Sequence, residues 1–240
     1  MKNCSKLKLF SLSSTLVLLT ACGGSGGSSS TENELGGIWT GTVTLTDTTE
    51  LGAIGLASEA GKIFFLSGGD LSIGNVATSG TNFTGSLIEY YADGGNSASG
   101  SISGTFAART SLTGSATFNS VQTSTFSFNY ESIHERDSSF ATISGTYSLT
   151  DGGYTETYTV DADGLITGSD TDGCVFNGQI SLPDTNYNIY GVNITASNCG
   201  DANGVYSGLA ALVDDTTTND TLIIGAKGTN YAIAGSIPRT

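Results

Sequence analysis

The sequence predicts an all-β protein, either an antiparallel, strongly coiled β-barrel or a bent β-sandwich. After residue 35, apolar residues alternate with polar ones at a spacing of two, and they do not recur at helical spacing over three turns. The dipeptides Asp-Gly and Asn-Gly, which favour hairpin turns, separate the alternating segments at 151–152, 163–164, 172–173 and 203–204. Together these observations favour strands joined by tight turns.

Thirteen alternating segments are predicted strands. They are Ile38–Thr46, Lys62–Leu66, Asn82–Tyr90, Ser99–Ala107, Leu112–Asn119, Thr123–Tyr130, Ala141–Leu149, Tyr154–Val160, Cys174–Leu182, Tyr187–Thr195, Val205–Val213, Thr221–Ile224 and Tyr231–Ile237. Their short separations suit an all-β unit, because such domains reach about 200 residues as single bodies.

A glycine recurs on the apolar face of many predicted strands, with bulky residues two positions to either side. Trp39-x-Gly41-x-Val43 and Phe176-x-Gly178-x-Ile180 are clear cases, and the same spacing surrounds Gly85, Gly104, Gly145 and Gly235. Glycine weakens a strand unless it serves a bend, a bulge or a close backbone approach. Its repetition predicts sheets coiled so hard that a side chain would clash inside the bend, which favours a barrel.

The first predicted strand opens with Gly37-Ile38-Trp39-x-Gly41. This opening resembles the Gly-x-Trp of the first strand of lipocalins and the similar start of avidin-like barrels. The resemblance covers one strand and implies a barrel, but it brings no ligand-binding residue with it. We interpret Trp39 as a core residue that closes the barrel.

The β region is expected to form one continuous domain over residues 35–240. An alternative arrangement has two halves, about 35–131 and 140–240, because Gly37-Ile-Trp39 and Gly145-Thr-Tyr147 open similar runs. The charged stretch between the halves is short and lacks the Gly, Ser and Pro content of a linker, which favours the single unit.

The N-terminus has the layout of an export signal. Three lysines, Lys2, Lys6 and Lys8, precede an apolar stretch at about 9–19 and the small residues Thr20 and Ala21. The apolar stretch is shorter than the roughly 20 residues that a transmembrane helix needs. We expect residues 1–21 to be a cleaved signal peptide and residues 22–34 to be a flexible, Gly/Ser-rich tether.

The segment Leu19-Thr20-Ala21-Cys22 resembles the lipobox of bacterial lipoproteins. The resemblance implies cleavage before Cys22, a diacylglyceryl group on its thiol and a further acyl chain, such as palmitate, on its amino group. More than one chain is what makes such anchoring stable. Gly23, in place of an aspartate, fits delivery to the outer membrane of a two-membrane bacterium. The expected location is therefore the cell envelope, with the protein anchored to the outer membrane. Both a periplasmic and a surface-exposed domain fit the sequence.

The four cysteines have separate expected fates. Cys4 leaves with the signal peptide and Cys22 is lipidated, so Cys174 and Cys199 remain as a pair. In an oxidising compartment the pair predicts a disulfide, with two buried free thiols as the alternative.

The mature chain is strongly acidic. Loss of the signal-peptide lysines leaves five basic residues against 22 acidic ones, a formal charge of −17. Such a surface repels nucleic acid and anionic headgroups, so we expect no nucleic-acid partner.

Two groups of aspartates were considered as metal ligands. Asp161, Asp163, Asp170 and Asp172 lie within twelve residues and could supply oxygen ligands for calcium, but no glutamate completes an EF-hand loop. Asp-Gly is common in hairpin turns, so we interpret these residues as turns. Asp214, Asp215 and Asp220 are interpreted as a solvated loop. We expect no metal or cofactor.

The densest charged patch contains Glu131, His134, Glu135, Arg136 and Asp137, with the only histidine of the chain. A triad built from Ser132 or Ser138 with His134 is disfavoured, because residues so close in sequence rarely converge and a nucleophile-elbow motif is absent. We interpret the patch as a polar crossover in which Arg136 pairs with nearby carboxylates. We expect no catalytic activity.

Two functions fit these observations. Tyrosines near predicted strand ends suit protein or glycan recognition, although tyrosine is also ordinary at a β rim; they are Tyr90, Tyr91, Tyr154, Tyr158, Tyr187 and Tyr190. The first hypothesis is a non-catalytic, membrane-anchored lipoprotein that binds a protein or glycan partner. The alternative is a lipocalin-like carrier of a small apolar ligand. An internal cavity favours the carrier, and a barrel filled by its own side chains favours the partner-binding module.

Overall fold

The computed structural model describes residues 34–92, 97–119 and 121–240 and is all-β. The described residues form sixteen strands in two antiparallel sheets of eight strands each. The predicted fold class is confirmed. The predicted signal peptide, Cys22 and nearly all of the predicted tether lie outside the described residues.

The first sheet is a closed barrel. Its strands are β1 (Gly37–Leu45), β2 (Glu50–Ala57), β3 (Lys62–Ser67), β4 (Asp70–Ser79), β5 (Asn82–Tyr90), β6 (Ser97–Ala107), β7 (Ser111–Phe118) and β8 (Val121–Glu131). Each strand pairs with its neighbour in sequence, and β1 pairs with β8 from Ile38↔Glu131 to Leu45↔Ser124. Closure leaves no unpaired edge in this sheet.

The second sheet is barrel-like. Its strands are β9 (Gly145–Asp151), β10 (Tyr154–Val160), β11 (Leu165–Asp170), β12 (Val175–Ser181), β13 (Tyr190–Ser197), β14 (Gly204–Val213), β15 (Thr221–Lys227) and β16 (Ala232–Pro238). Its ends meet at a bridge between Tyr147 and Arg239. The Arg239 guanidinium donates to the Tyr147 hydroxyl and the Thr142 carbonyl, each at 2.7 Å. The side chain of Arg239 thus helps to fasten the ends of this sheet.

The crossover between the sheets contains a 3₁₀ turn, Ser132–Glu135, and a short helix, α1 (Phe140–Ile143). Ser139 caps the helix by accepting the Thr142 N–H at 3.0 Å. The predicted strand Ala141–Leu149 is therefore wrong over its first residues, because the cap closes a helical turn before β9 begins at Gly145. For the same reason Ile143-x-Gly145-x-Tyr147 is not a strand face.

Three strands were absent from the predicted set, namely β2, β4 and β11. Each contains an internal glycine or small residues that weaken the alternating pattern, as in ELGAIGLA and LITGSD. Their place in the sheets comes from their neighbours, since β4 pairs with β5 along its whole length, from Leu71↔Tyr90 to Ser79↔Asn82. Local pattern alone did not reveal them.

Gly41 and Gly178 show why glycine recurs on the inner faces of the strands. A methyl group on Gly41 would overlap the carbonyl oxygen of Ser127, and one on Gly178 would overlap that of Asn193. In both cases the overlapped atom belongs to the adjacent, hydrogen-bonded strand. The strands approach too closely for a side chain, as the prediction of strongly coiled sheets requires.

Each barrel begins with a buried aromatic residue on its first strand. Trp39 is fully buried, and its Nε1 donates to the Leu35 carbonyl at 3.2 Å. Tyr147 is fully buried, and its hydroxyl donates to the Ile143 carbonyl at 2.7 Å. Trp39 is therefore confirmed as a core residue, and the similar openings in the sequence correspond to equivalent strands.

An apolar cluster joins the outer faces of the two barrels. Its members include Phe64, Leu66, Leu71 and Ile73 from the first barrel and Leu209, Ala211 and Ile223 from the second. The strands that carry them are buried on both faces, and their sequences are unbroken apolar runs such as IFFL in β3 and LAALV in β14. The barrels therefore pack side by side, with the crossover beside this cluster.

Candidate functional site

A cleft of about 110 Å³ opens where one end of the second barrel meets the first barrel. Residues of both barrels line it, and six of them are tyrosines: Tyr90, Tyr91, Tyr154, Tyr158, Tyr206 and Tyr231. The carboxylates of Glu156 and Asp170 also lie in its wall. The cleft thus combines aromatic surface with acidic groups.

Strand β10 contributes Tyr154, Glu156 and Tyr158 to the wall of the cleft. Side chains alternate between the two faces of a strand, so Tyr154, Glu156 and Tyr158 share the face that the barrel encloses. Tyr158 is buried, whereas Tyr154 and Glu156 are partly exposed. This face of β10 therefore places the acid Glu156 among core-facing aromatic side chains.

Among the described residues, the Glu156 carboxylate accepts side-chain hydrogen bonds from Tyr154 and Tyr158, and both are long. Tyr154 Oη lies 2.9 Å from Asp170 Oδ2 and 3.4 Å from Glu156 Oε2, and its single proton favours the nearer Asp170. Tyr158 donates to Glu156 at 3.4 Å. Burial raises the pKa of the Glu156 carboxyl, and the tyrosine hydroxyls oppose that rise only in part.

The cleft carboxylates lack a cationic partner within the described residues. Two arginine–carboxylate ion pairs occur among those residues, Arg109–Glu135 and Arg136–Asp214, and His134 lies beside Glu59; neither Glu156 nor Asp170 takes part in these contacts. The negative charge of the cleft is therefore not neutralised by a described side chain.

Cys174 and Cys199 border the cleft and lie at disulfide distance, with their Cα atoms 4.7 Å apart. The predicted pairing is therefore present. The pair joins the β11–β12 turn to the loop after β13. Asp170 is fixed to the same turn, because its Oδ1 accepts the Cys174 N–H at 2.9 Å. The paired cysteines and Asp170 together define this side of the rim.

The four aspartates considered for calcium lie in hairpin turns. Asp161 accepts the N–H groups of Asp163 and Leu165 at 2.9 and 2.8 Å. Asp170 does the same for Asp172 and Cys174, both at 2.9 Å. The turn interpretation is confirmed. Across the described part of the chain, no group of three or more His, Cys, Asp or Glu residues is placed to hold a metal ion.

The second aspartate group forms an exposed loop with internal hydrogen bonds. Asp220 accepts the N–H groups of Asp215, Thr216 and Thr217, and these bonds hold its pKa well below the ordinary range. Arg136 donates to both carboxylate oxygens of Asp214, at 2.7 and 2.6 Å. The predicted pairing of Arg136 with a carboxylate is confirmed.

His134 is buried in the crossover. Its Nδ1 lies 2.9 Å from the Tyr130 hydroxyl, its Nε2 lies 3.2 Å from Glu59 Oε1, and its ring stacks on Tyr187 at 4.7 Å. Ser138 is engaged elsewhere, since its hydroxyl donates to the Asp184 carbonyl at 3.0 Å. The histidine thus packs at the crossover and has no nearby serine nucleophile among these contacts.

A second cavity, the chamber, lies inside the first barrel and has a volume of about 290 Å³. Its wall is mainly apolar and includes Phe65, Leu87, Ile102, Phe118, Phe126 and Phe128. Ser67, Asp70 and Glu89 add polar groups, and burial raises the pKa of the Glu89 carboxyl. Tyr91 lines both the chamber and the cleft, so the two cavities are neighbours.

The tyrosines singled out in the sequence have different positions. Tyr90, Tyr91, Tyr154 and Tyr158 line the cleft, whereas Tyr187 stacks on His134 and Tyr190 is buried inside the second barrel. Sequence reasoning missed Glu156, Tyr206 and Tyr231. The signal for Glu156 was present, because Tyr154-x-Glu156-x-Tyr158 puts an acid on a face otherwise typical of a core.

Comparison with family models, curated proteins and solved structures finds no match to this chain. Among the described residues, no helix has the length and apolar character needed to cross a membrane. The chemistry of the cleft and of the chamber is therefore the basis for a functional proposal.

Proposed function

We propose that this chain is a non-catalytic, lipid-anchored protein of the outer membrane that binds a partner protein at the cleft between its barrels. The observation that carries the proposal is the tyrosine-lined cleft with two carboxylates and no described cation beside them. Tyrosine supplies large contact area at low entropic cost, which suits recognition. A protein is preferred to a glycan because a lysine or arginine side chain would neutralise the carboxylates, whereas the hydroxyls of a neutral sugar would only donate hydrogen bonds to them.

Metabolic labelling with an alkyne analogue of palmitate tests the anchor. We expect the native chain to be labelled and Cys22→Ser to lose both the label and membrane association. Cys4→Ser is the matched control, because that cysteine lies within the predicted signal peptide, and it should leave labelling unchanged. Labelling of the Cys22→Ser protein at the native level would refute lipidation at this residue.

Site-specific photo-crosslinking in intact cells tests the binding surface. A photoreactive phenylalanine derivative at Tyr231, in the cleft, should give a discrete protein adduct. The same group at Leu165, an exposed residue of the second barrel that does not line the cleft, is the control and should give none. Equal adducts at both positions, or no adduct at Tyr231, would contradict the proposal. A heterogeneous adduct sensitive to periodate would identify a glycan instead.

The chamber favours a second candidate, a carrier of a small apolar ligand. Ligand pockets usually have volumes of about 300–1,000 Å³, and the chamber, at about 290 Å³, lies near the lower limit. The interior of the second barrel, by contrast, is packed with its own side chains, among them Tyr147, Phe176, Ile180 and Tyr190. The two hypotheses therefore concern different parts of the molecule.

Fluorescence titration with the neutral probe N-phenyl-1-naphthylamine tests the carrier. We expect saturable enhancement, and we expect Ala116→Phe to abolish it, because Ala116 lines the chamber. Thr113→Phe is the control, since Thr113 is exposed on the opposite face of the same strand. Enhancement that does not saturate, or that survives Ala116→Phe, would exclude the chamber as the ligand site.

A further inference from the structure

We infer that the cleft is a cation-recognition site that takes one alkylammonium or guanidinium group between its tyrosine rings, directed at Glu156 and Asp170. This inference rests on the proposed function, since it names the chemistry by which the partner is recognised. In a partner protein the group would be a lysine or arginine side chain.

No basic residue of the described chain lines the cleft beside its two carboxylates. A carboxylate that is partly removed from water loses solvation and needs compensation from hydrogen bonds or an opposite charge. The five basic residues beyond the signal peptide are Lys62, Arg109, Arg136, Lys227 and Arg239, and none of them lines the cleft. Glu156 accepts hydrogen bonds of 3.4 Å from two tyrosines, and a cationic group bound in the cleft would supply the countercharge that these bonds do not.

The arginines are already engaged at other sites. Arg109 bonds to Glu135 and Tyr187, Arg136 bonds to Asp214, and Arg239 bonds to Thr142 and Tyr147. A rearrangement that brought one of them to the cleft would break these contacts. The three arginines are therefore not available to neutralise the cleft.

The wall of the cleft is rich in tyrosine rings. Cations are attracted to the faces of such rings, most strongly where water is excluded. The hydroxyls of Tyr90 and Tyr206 are occupied by the carbonyls of Gly228 and Ala202, at 2.9 and 2.6 Å. These two residues thus contribute mainly ring surface. An anion would be repelled by the carboxylates, and a neutral apolar group would leave Glu156 uncompensated.

The volume of the cleft suits a small group. One water molecule needs about 10–15 Å³ of cavity volume, so a cleft of about 110 Å³ has room for several groups of that size. A guanidinium or an ammonium with its adjoining methylenes fits, whereas a folded segment of a partner does not. The cleft therefore accommodates a single side chain of a partner or a small free amine.

Isothermal titration of the purified, detergent-solubilised lipoprotein tests the inference. The cationic probes are N-ethylguanidinium and n-butylammonium, and the neutral probes of the same size are N-ethylurea and n-butanol. We expect the cations to bind in the millimolar range and the neutral probes to bind at least about tenfold more weakly. Cation binding should also weaken with added salt.

Two variants localise the binding. Glu156→Gln keeps the shape and the acceptor oxygen but removes the charge, and it should weaken cation binding about tenfold. Asp163→Asn removes an exposed acid from a turn of the same barrel that does not line the cleft, and it should leave binding unchanged. Circular dichroism verifies that both variants are folded. No cation binding up to about 50 mM, equal binding of the neutral probes, or an unchanged affinity in Glu156→Gln would overturn the inference.

Two further experiments are needed. The first distinguishes a protein side chain from a free amine as the bound group, and the second distinguishes failure of the cation site from failure of the proposed partner binding. If acetyl-Gly-Arg-Gly-amide binds more tightly than N-ethylguanidinium, the natural group is a protein side chain; equal binding indicates a free amine, and either result supports a cation site. A Tyr231 crosslink that persists in a protein without cation binding would refute this inference and leave the proposed function standing. Loss of the Tyr231 crosslink together with retained cation binding would refute the proposed protein partner and support the cation-recognition site.

Discussion

At the residue scale, Glu156 departs from the apolar pattern that its strand otherwise follows. It occupies an inner-face position between two tyrosines, where a packed barrel ordinarily holds an apolar side chain. Burial raises the pKa of its carboxyl, and perturbed acids of this kind concentrate at functional sites. The stability lost by keeping an acid at this position is consistent with a binding role.

Glu156→Gln should therefore stabilise the protein in a pH-dependent way. Below the unfolded-state pKa of about 4.3, the carboxyl is protonated in both the folded and the unfolded state. Its ionisation then does not change the free energy of unfolding. As pH rises through the higher folded-state pKa, ionisation increasingly destabilises the native state. The variant should raise the Tm at pH 7 and leave it unchanged near pH 4, with about 2–4 °C for each kcal/mol relieved. Thermal melts at the two pH values measure this, and equal shifts at both would contradict it.

Asp220 should show the opposite dependence, because N–H donors hold its pKa low in the folded state. Its stabilising effect is present above the unfolded-state pKa of about 3.9 and is lost as pH falls through the folded-state value. Asp220→Asn should lower the Tm at pH 7, and the difference from the native chain should narrow in acid. Asp215→Asn, in the same exposed loop, is the control. If the Tm of Asp220→Asn lies below that of the native chain by the same amount at every pH, the stabilising effect of Asp220 is not electrostatic.

At the element scale, close strand approach explains the glycine pattern. On β6 and β7, Gly104 lies directly opposite Gly114, and a methyl group on either would meet the backbone of the other strand. The pairing of two glycines lets the strands coil at this point without a steric clash. Strand curvature in the first barrel thus depends on particular small residues.

Gly41→Ala should destabilise the first barrel. The added methyl group overlaps the Ser127 carbonyl oxygen, so the strand must shift, and overpacking of this kind costs about 1–3 kcal/mol. Gly204→Ala is the control, because its methyl group would meet nothing closer than a Tyr206 ring carbon at 3.9 Å. Chemical denaturation measures both variants. Equal stability of the two would refute the steric explanation.

At the scale of the whole molecule, the two barrels are coupled through an apolar cluster and through the crossover. Phe64 is fully buried on the outer face of the first barrel and lies against Gly225 of the second. Asn188 donates to the carbonyls of Ile133 and Leu212, at 3.2 and 2.6 Å, and so ties the crossover to the second barrel. The geometry of the cleft depends on this coupling, because both barrels supply its wall.

Phe64→Ser should uncouple the barrels. Truncation of a buried phenylalanine costs about 3–5 kcal/mol, and here the loss falls on the contact between barrels. We expect a single calorimetric transition in the native chain, two transitions in the variant, and faster proteolysis within residues 132–143. Thr84→Ser, on the exposed face of the same barrel, should unfold like the native chain. A single transition with an unchanged Tm in Phe64→Ser would show that the cluster does not couple the barrels.

Part of this structure could be predicted from local pattern, and the missing parts have physical explanations. Segments such as Asn82–Tyr90 were recognised because alternation records which face of a strand is buried. The sequence pattern did not predict strand β2, because its glycine and alanine residues weaken the alternation of polar and apolar side chains. Lys62–Leu66 was predicted as a strand, but only the structure shows that both of its faces are buried and that the second barrel covers the outer one.

The candidate site was predictable only in fragments. Tyr90, Tyr91 and Tyr154 were singled out as recognition residues, and they line one cleft. Tyr231 was not, because the sequence shows neither that β16 begins beside the first barrel nor which loops meet there. Glu156 was missed because an acid within a strand is ordinarily read as solvent-exposed.

The all-β class, the hairpin turns at Asp161 and Asp170, and the core role of Trp39 could be predicted from local pattern. These features depend on alternation, turn chemistry and side-chain size, which act over a few neighbouring residues. The division of the strands into two barrels, the closure of β1 on β8 and the meeting of acidic and aromatic residues in one cleft became visible in the folded chain. Those outcomes depend on hydrogen-bond pairing and packing between residues far apart in the chain, which local sequence pattern does not encode.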